Sequence, residues 1–338
     1  MANVNIANPM AINGQASSDA EKLALALKVF SGETLTAFAR TSVTTGRVLE
    51  RTIEHGKSAQ FPVFGRTSAH YLKAGQSLDD LRTNINQNER TIVLDGLLTA
   101  DALIFDLDEF IAHYDFRSPY AAELGNALAI SHDASVIAEI AKEALNANEN
   151  VPGTGSAPGT GKGGLLKSKL DTGVVGINKQ TGAAIYDILL QAKAAMSKNY
   201  VPTSERYVYV DPEYHAALAS CLDFLNHDFG ASGNILEGNV IRLAGFDIIE
   251  CPHLTKGGDD NTNVIQGAGH VFPAEYKDKH PLVICHKTST GVLRLKELSM
   301  ENARRPEYQA DQFIAKMAVG VGGLRPESSF LGVVEAGA

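Results

Sequence analysis

The feature that most constrains the fold is a stretch able to form one continuous helix from about Ser118 to Leu145. Ser118 and Pro119 supply an N-cap and a proline at the first helical position, and no further proline follows up to Leu145. Its apolar residues recur near one helical face: Leu124, Leu128, Ile137, Ile140, Ala141 and Leu145. Roughly 28 residues at 1.5 Å each make a helix of about 40 Å. This length predicts a spine that crosses a whole domain.

The rest of the chain mixes helices and strands in irregular order. Further helices are predicted over 181–198 and from Pro212 to about Phe224. Strands are predicted at 207–210, 239–243, 246–251, 282–286 and 292–295, with a tight turn at Ala244 and Gly245. Because repeated βαβ units are missing from this pattern, the sequence predicts an α+β fold rather than a doubly wound sheet.

The N-terminal part divides into a tail and an arm. Residues 1–17 are rich in Asn, Ala, Gly and Ser without a helical or strand period, so they are predicted to form a mobile tail. Residues 18–55 are the predicted N-terminal arm, with one helix from Ser18 to Gly32 and a second over 33–41. Their apolar faces are too small to fold alone. They must therefore be covered by another part of this chain or by a neighbouring chain.

Residues 56–95 have a strand-like pattern broken by Gly and Pro. Phe61, Val63 and Gly65 share one parity, and Pro62 marks an edge strand because proline cannot donate to a ladder. If the segment forms one hairpin, each arm reaches about 50 Å at 3.3 Å per residue. The segment is therefore predicted to be an extended loop that contacts another chain. The alternative is an irregular surface loop.

Composition and charge exclude several classes of protein. The 338 residues are 44% hydrophobic and 20% charged, which is ample for a buried core. Acidic residues interrupt the most apolar stretch, near 97–107, so no membrane-spanning helix is predicted. The N-terminus resembles no secretory signal, which predicts that the chain stays in the cytosol where it is made.

The charge distribution and the cysteines disfavour further classes of protein. The net charge is −9, and residues 101–160 hold ten acidic against two basic side chains. This balance disfavours sequence-specific binding of nucleic acid, because a phosphate backbone would repel it. Cys221, Cys251 and Cys285 are widely spaced, which predicts reduced, buried thiols rather than disulfides or a zinc site.

The chain also offers little that would indicate an enzyme. The glycine-rich segment 151–164 lacks the spacing of a phosphate-binding loop and is predicted to be a flexible loop at a domain boundary. Asp106, Asp108 and Glu109 have no EF-hand spacing and are predicted to be solvated. Nucleophile motifs are also missing from the sequence. We therefore expect no catalytic residue, no metal and no cofactor. The alternative is a cytosolic enzyme with a glycine-rich lid at 153–164.

Several blocks of sequence stand out as continuous motifs. Three are long, namely KVFSGETLTAFARTSVTTGR at 28–47, GKSAQFPVFGR at 56–66 and DGLLTAD at 95–101. Shorter ones follow in order: KNYVP at 198–202, PHLT at 252–255, HVFPA at 270–274, ARR at 303–305 and GGLRPE at 322–327. Together they span most of residues 20–327. They resemble the major capsid protein of short-tailed phages of the autographivirus type.

This resemblance implies the fold of the Hong Kong 97 capsid proteins and a structural function. It divides the chain into a tail (1–17), an N-terminal arm (18–55), an extended loop (56–95), a peripheral domain with a spine helix (96–150), a glycine-rich loop (151–164), an axial domain (165–286) and a return to the peripheral domain (287–338). It also implies hexamers and pentamers that close an icosahedral shell around double-stranded DNA. A scaffolding protein, a portal protein at one vertex, and assembly in the host cytoplasm belong to the same expectation. An encapsulin-like cellular compartment is the alternative with the same fold.

Capsid function would reside in contacts between subunits. In the extended loop we expect such contacts at Phe61, Phe64, Arg66, His70 and Tyr71. Leu27, Phe30 and Phe38 are expected to pack the arm onto itself or onto a neighbour. Glu301, Arg304 and Arg305 are the expected charged contacts of the peripheral domain, since arginine forks suit bidentate pairing at interfaces.

Overall fold

A computed structural model describes residues 32–65, 67, 69–82, 85, 87–107, 117–148, 161–170, 175–221, 242–258 and 269–337. The helices are α1 (32–41), α2 (Arg117–Ala144), α3 (Lys179–Lys198) and α4 (Pro212–Ala219). The strands are β1 (Leu49–Thr52), β2 (Ser58–Phe64), β3 (Gln87–Val93), β4 (Gly96–Phe105), β5 (Gly164–Lys169), β6 (Arg206–Val210), β7 (Arg242–Leu243), β8 (Phe246–Glu250), β9 (Leu282–His286), β10 (Thr290–Arg305), β11 (Ala310–Gly323) and β12 (Ser329–Glu335).

The chain forms two compact units. The first contains the described residues within 1–42, 97–130 and 296–318, and the second contains the described residues within 43–96, 131–295 and 319–338. Helix α2 and strands β10 and β11 belong in part to each unit. Strands β10 and β11 lie at the centre of a four-stranded sheet of order β1-β10-β11-β4.

The second unit is built on a six-stranded mixed sheet of order β5-β12-β9-β6-β8-β7. Strand β12 pairs in parallel with β5 and antiparallel with β9, while β6 pairs antiparallel with β9 and in parallel with β8. The short β7 pairs antiparallel with β8 through the predicted turn, where Ala244 and Gly245 have φ of 53° and 90°. This mixed pairing confirms the α+β prediction.

Each face of this sheet carries its own helix, because successive strand residues point to opposite sides. Val208 and Val210 pack with α3, whereas Tyr209 packs with the second half of α2. The apolar positions predicted on α3 are completely buried: Ile185, Ile188, Leu189, Ala192 and Met196. The sheet therefore separates two apolar cores, one for each helix.

The long helix is confirmed, with two corrections. It spans Arg117–Ala144, so Ser118 lies inside the helix and is not its N-cap. Its apolar surface is also not a single stripe, because residues 132–138 are all buried. Ala134 and Ala138 are small enough for the segment around Gly257 to pack against this helix, where a Cβ on Gly257 would lie 2.6 Å from Ala138 Cβ. Because these side chains are small, another segment packs closely and buries a part of the helix that the hydrophobic pattern does not identify.

Other local predictions have mixed outcomes. Helix α1 confirms the second helix of the arm, and strands β6 and β9 lie where they are predicted. Helix α4 ends at Ala219, earlier than the predicted Phe224. The three cysteines are buried thiols, as predicted, and are not joined in disulfides. The tail 1–17, the first helix of the arm and most of the glycine-rich segment lie outside the described residues. Among the residues that are described, no helix is both long and apolar enough to cross a membrane.

Candidate functional site

The predicted extended loop consists of a short hairpin and a longer irregular part. Strands β2 and β3 pair antiparallel from Ser58 opposite Val93 to Phe64 opposite Gln87. Seven residue pairs span about 23 Å, so the expected 50 Å arms are wrong. Beyond Phe64 the described residues contain a 3₁₀ turn at Leu78–Leu81, capped by Ser77 Oγ, which accepts from Asp79 N at 3.2 Å. The alternative of an irregular loop is therefore correct for this part.

The base of the hairpin belongs to the core of its own chain. Residues of β2 alternate between buried and exposed, and Phe61 is only 5% exposed. It packs in a cluster with Ile92, Leu293 and Leu324, and the Arg51 guanidinium lies 5.7 Å from the centre of its ring. The edge position of Pro62 is confirmed, since it pairs only with Glu89 in this two-stranded sheet. Phe61 is therefore a core residue here, not an outward contact.

The outer part of the loop is apolar and exposed. Tyr71 is fully exposed, and four other large apolar side chains of the loop are about half exposed or more: Phe64, Leu72, Leu78 and Ile85. His70 is exposed as well, whereas Arg66 lies outside the described residues. A soluble protein seldom leaves so many large apolar side chains uncovered on one segment, and such surfaces commonly mark sites of protein–protein contact.

Helix α1 of the N-terminal arm packs inside the first unit. Phe38 on α1 is 6% exposed, and Thr41 Oγ1 donates to Asn126 Oδ1 on α2 at 2.6 Å. A Cβ added to Gly125 would lie 2.4 Å from the carbonyl oxygen of Thr34, so α1 and α2 approach closely there. Phe38 therefore packs the arm onto its own chain. Leu27 and Phe30 lie outside the described residues.

The three charged residues expected at an interface have partners within the first unit. Arg304 donates to both carboxylate oxygens of Asp106 and, at 3.0 Å, to Asp311. The hydrogen bond from Arg304 holds the pKa of Asp106 below its ordinary value. Arg305 Nε donates to Gln312 at 2.8 Å, and Glu301 pairs with Lys316.

These pairs correct the interpretation of the acidic segment. Asp106 is not simply solvated, and Asp108 and Glu109 lie outside the described residues. Asp133, Glu139 and Glu143 are buried or nearly buried and contact basic groups of their own unit. Four of the ten acidic residues of 101–160 therefore have basic partners within their own unit.

Buried Asp133 on α2 fixes the start of the second unit. Its carboxylate accepts from Val43 N at 2.6 Å and from the backbone and hydroxyl of Thr44, and His253 Nε2 lies 3.5 Å away. Burial alone would raise the pKa of Asp133, but His253 and these donors hold it below its ordinary value. No motif in the sequence indicated this contact.

A second buried cluster lies beside the end of β3. His270 is 7% exposed and lies between two carboxylates, with Nε2 2.7 Å from Asp95 Oδ2 and Nδ1 2.8 Å from Glu139 Oε1. Lys142 Nζ lies 2.7 Å from the same Glu139 oxygen. The sequence interpretation did not detect this cluster. HVFPA at 270–274 contributes to the resemblance, but nothing in it indicates which acids His270 contacts.

Groups for catalysis or metal binding are sparse in the described part of the chain. Burial raises the pKa of Cys251 and of Cys285 to about 12, the reverse of an activated thiol. Asp211, Glu213 and His280 are the one described set of side chains whose ligand atoms lie within 4.8 Å of one another, and they are at the surface. Such surface groups are common without an ion, so they define no metal site.

Several solved structures with this architecture are phage capsids. The capsid structure of the Cyanophage P-SCSP1u matches with a TM-score of 0.70 and 28% identity, covering 99% of both chains. The mature capsid of bacteriophage PhiM1 has a TM-score of 0.66 and 18% identity over 87% of each chain, which supports the fold alone. The fold is therefore the Hong Kong 97-like fold of phage capsid subunits.

Sequence comparison identifies the family. Residues 60–331 match the Gp10A-like family, described as major capsid protein. The major capsid protein of Enterobacteria phage T3 is 43% identical over 97% of both chains, and that of Escherichia phage T7 is 43% identical over 91% of both. The chain belongs to the Gp10A-like family and is a major capsid protein of the T7 and T3 type. It is a structural component of the virion capsid, and an encapsulin-like compartment is not favoured.

Proposed function

We propose that this chain assembles into hexamers and pentamers that close an icosahedral shell around double-stranded phage DNA, with the outer part of the extended loop as a principal contact between subunits. The observation that carries the proposal is the row of large apolar side chains on that loop. Covering them against a neighbour would release about 25 cal/mol per Å² of apolar surface.

The geometry suits a contact between unlike surfaces of identical subunits. The hairpin base packs through Phe61 and Ile92 in its own core, so the exposed side chains are presented from a fixed support. A loop that extends from one copy onto another makes a head-to-tail contact, and such contacts close into rings when the rotation permits. Phe64, His70 and Tyr71 are the contact residues that this arrangement favours, and Arg66 belongs to the same proposal.

The charged residues have a secondary part in the proposal. Arg304 keeps 44% of its side chain exposed while Asp106 and Asp311 hold its guanidinium in place. An oriented arginine loses less freedom when it meets a neighbouring carboxylate. Glu301 and Arg305 would act in the same way at the rim of a contact, where charge affects association rate and salt dependence more than affinity.

The remaining partners follow from the family. A scaffolding protein during assembly in the host cytoplasm, a portal protein at one vertex and packaged DNA complete the proposal. DNA would be enclosed without sequence-specific binding, because the net charge of −9 opposes adhesion to phosphate. The role is structural, and an enzyme with a glycine-rich lid is the less favoured reading of the chain.

Tyr71→Asp tests the loop contact. The chain is expressed with its scaffolding partner and examined by size-exclusion chromatography and negative-stain microscopy. The parent chain and the matched control Tyr71→Phe should form shells, whereas Tyr71→Asp should elute as subunits or small oligomers. Because Tyr71 is fully exposed, its replacement should leave the circular dichroism spectrum unchanged. Normal shells from Tyr71→Asp would refute the proposed contact, and a parent chain that remains monomeric would refute assembly itself.

A further inference from the structure

The buried charges beside the end of β3 connect three separate parts of the second unit. Asp95 follows β3, Glu139 and Lys142 lie on α2, and His270 precedes the segment that leads to β9. His270 contacts both carboxylates, at 2.7 Å from Asp95 and 2.8 Å from Glu139. Lys142 Nζ also donates to the carbonyl oxygen of Gly269 at 3.1 Å. Side chains from the extended loop and from the long helix are thus joined through one histidine.

Backbone hydrogen bonds link the same cluster to β11. Asp95 Oδ2 accepts from Val321 N at 2.9 Å, and Asp95 N donates to the carbonyl oxygen of Val319 at 3.0 Å. A Cβ on Gly320 would lie 2.4 Å from the carbonyl oxygen of Val93, so β11 and the end of β3 are in close contact. The position of Asp95 therefore fixes where the return strand of the extended loop leaves the core.

A cavity of about 310 Å³ borders the cluster. Arg90 of β3 and Glu143 of α2 face it, with Arg90 Nη2 3.3 Å from Glu143 Oε1. This second pair also joins the loop to the helix. A space of this size gives the side chains room to change partners without displacing the apolar core.

We propose that Asp95, Glu139, Lys142 and His270 form an ionic latch that holds the base of the extended loop against helix α2, and that the protonation of His270 opens or closes it. Buried ion pairs contribute little net stability, because desolvation offsets much of their attraction. Removing one charge from such a set is costly, since the others stay buried without compensation. A latch of this kind therefore responds sharply to a single proton.

The groups that face His270 determine the pH range of the response. They are Asp95 after β3, Glu139 and Lys142 on α2, and more distantly Arg90 and Glu143 across the cavity. The adjacent segment carries His253, which contacts Asp133, and Lys256, which is exposed. Burial by itself would lower the pKa of His270, but Asp95 and Glu139 raise it to about 9. Burial likewise opposes ionisation of Glu139, yet His270 and Lys142 hold the pKa of Glu139 below its ordinary value.

The direction of the pH dependence follows from the linkage between protonation and folding. His270 has a higher pKa in the folded chain than the ordinary value of 6.5, so its stabilising effect is complete below pH 6.5 and is lost as pH rises through about 9. Glu139 stabilises only while it is ionised, so its contribution is lost in acid. The latch is therefore closed at neutral pH and opens on the alkaline side.

Hydrogen–deuterium exchange on the purified full chain tests the latch. Protection of the amides of β3 is measured from pH 7 to pH 10 and corrected for the intrinsic exchange rate, with β9 as the internal reference. In the parent chain, opening of β3 should increase on the order of 100-fold across this range, while β9 stays protected. In His270→Gln the pH-dependent step should disappear. In Glu139→Gln it should move to lower pH, because one of the two carboxylates that raise the pKa of His270 is gone.

A matched control distinguishes the latch from a general effect of histidine. His280 contacts Asp211 at 2.9 Å and Glu213 at 3.6 Å but is 42% exposed and lies elsewhere. His280→Asn keeps a residue that tolerates its φ of 44°, and it should leave the step at β3 unchanged. A step that persists in His270→Gln, or that is missing from the parent chain, would overturn the proposal. Equal loss of protection in β3 and β9 would also overturn it, because it would indicate global unfolding.

Discussion

Gly257 lies where the segment after Cys251 crosses helix α2, and its replacement by alanine gives a direct test of this packing. An added Cβ would lie 2.6 Å from Ala138 Cβ and 2.8 Å from the carbonyl oxygens of both Ala134 and His270. Two of these three atoms are backbone oxygens and the third is a Cβ fixed to the backbone, so none of them can rotate away. Overpacking of this kind costs about 1–3 kcal/mol. The reduced freedom of the unfolded chain returns about 0.4–1 kcal/mol, so we expect a net loss of about 1–2 kcal/mol.

Urea denaturation of the purified, unassembled chain measures this loss through the shift in midpoint, provided that the slope is unchanged. Gly176→Ala is the matched control, because it is also outside the helices, has no positive φ and has nothing within 4 Å of the added Cβ. It should be stabilised by up to about 1 kcal/mol. Hydrogen exchange should show the loss of protection in α2 near Ala134 and Ala138.

A double variant, Gly257→Ala with Ala138→Gly, separates the contact with Ala138 Cβ from the contacts with the two carbonyl oxygens. Ala138→Gly removes the nearest of the three atoms and leaves both carbonyl oxygens in place, so it should restore only part of the stability lost in Gly257→Ala. If Gly257→Ala is as stable as Gly176→Ala, the close packing argued here is incorrect. Complete restoration by Ala138→Gly would show that the carbonyl contacts yield without cost, which contradicts the same argument.

Two further predictions concern the hairpin base and the start of the second unit. Phe61→Ala should lower the free energy of unfolding by about 3 kcal/mol because it leaves a cavity. Phe64→Ala, on the exposed face of the same strand, should change this free energy little. Denaturation midpoints measure both effects, and equal effects would contradict the buried and exposed alternation of β2. Asp133→Asn should cost about 2 kcal/mol near neutral pH, because hydrogen bonds to a charged acceptor weaken. The native carboxylate has a lowered pKa, so its contribution exists above the ordinary value of 3.8 and disappears in acid. The difference between parent and variant should therefore shrink as the pH falls, and a constant difference would argue against this role.

Predictions from local sequence patterns succeeded where residues within one segment are sufficient to determine its structure. The apolar spacing of α3 identified its buried face, and Ala244 with Gly245 identified the turn between β7 and β8. Pro62 identified an edge strand. In each case the deciding property is a short-range one, such as the period of a helix, a positive φ or a missing N–H.

Predictions failed where residues distant in the sequence determine which side chains are buried or paired. Residues 132–138 of α2 are buried on all sides because the sheet and the segment around Gly257 both pack there, which a single apolar stripe does not predict. Phe61 was expected to contact a neighbouring subunit, yet it is covered by Leu293 and Leu324, which lie far along the chain. The charges of Arg304 and Asp106 are both visible in the sequence, but their mutual contact is not.

By itself, the sequence determined the α+β class, the long helix and, through its motifs, the capsid family. Those conclusions rest on hydrophobic periodicity and on continuous sequence motifs, which are properties of residues close together in the sequence. Only the tertiary structure decided that His270 meets Glu139, 131 positions away, and that Asp95 joins them. The physical reason is that ion pairing depends on distance and burial in space. Both are set by the packing of the second unit and not by the order of residues.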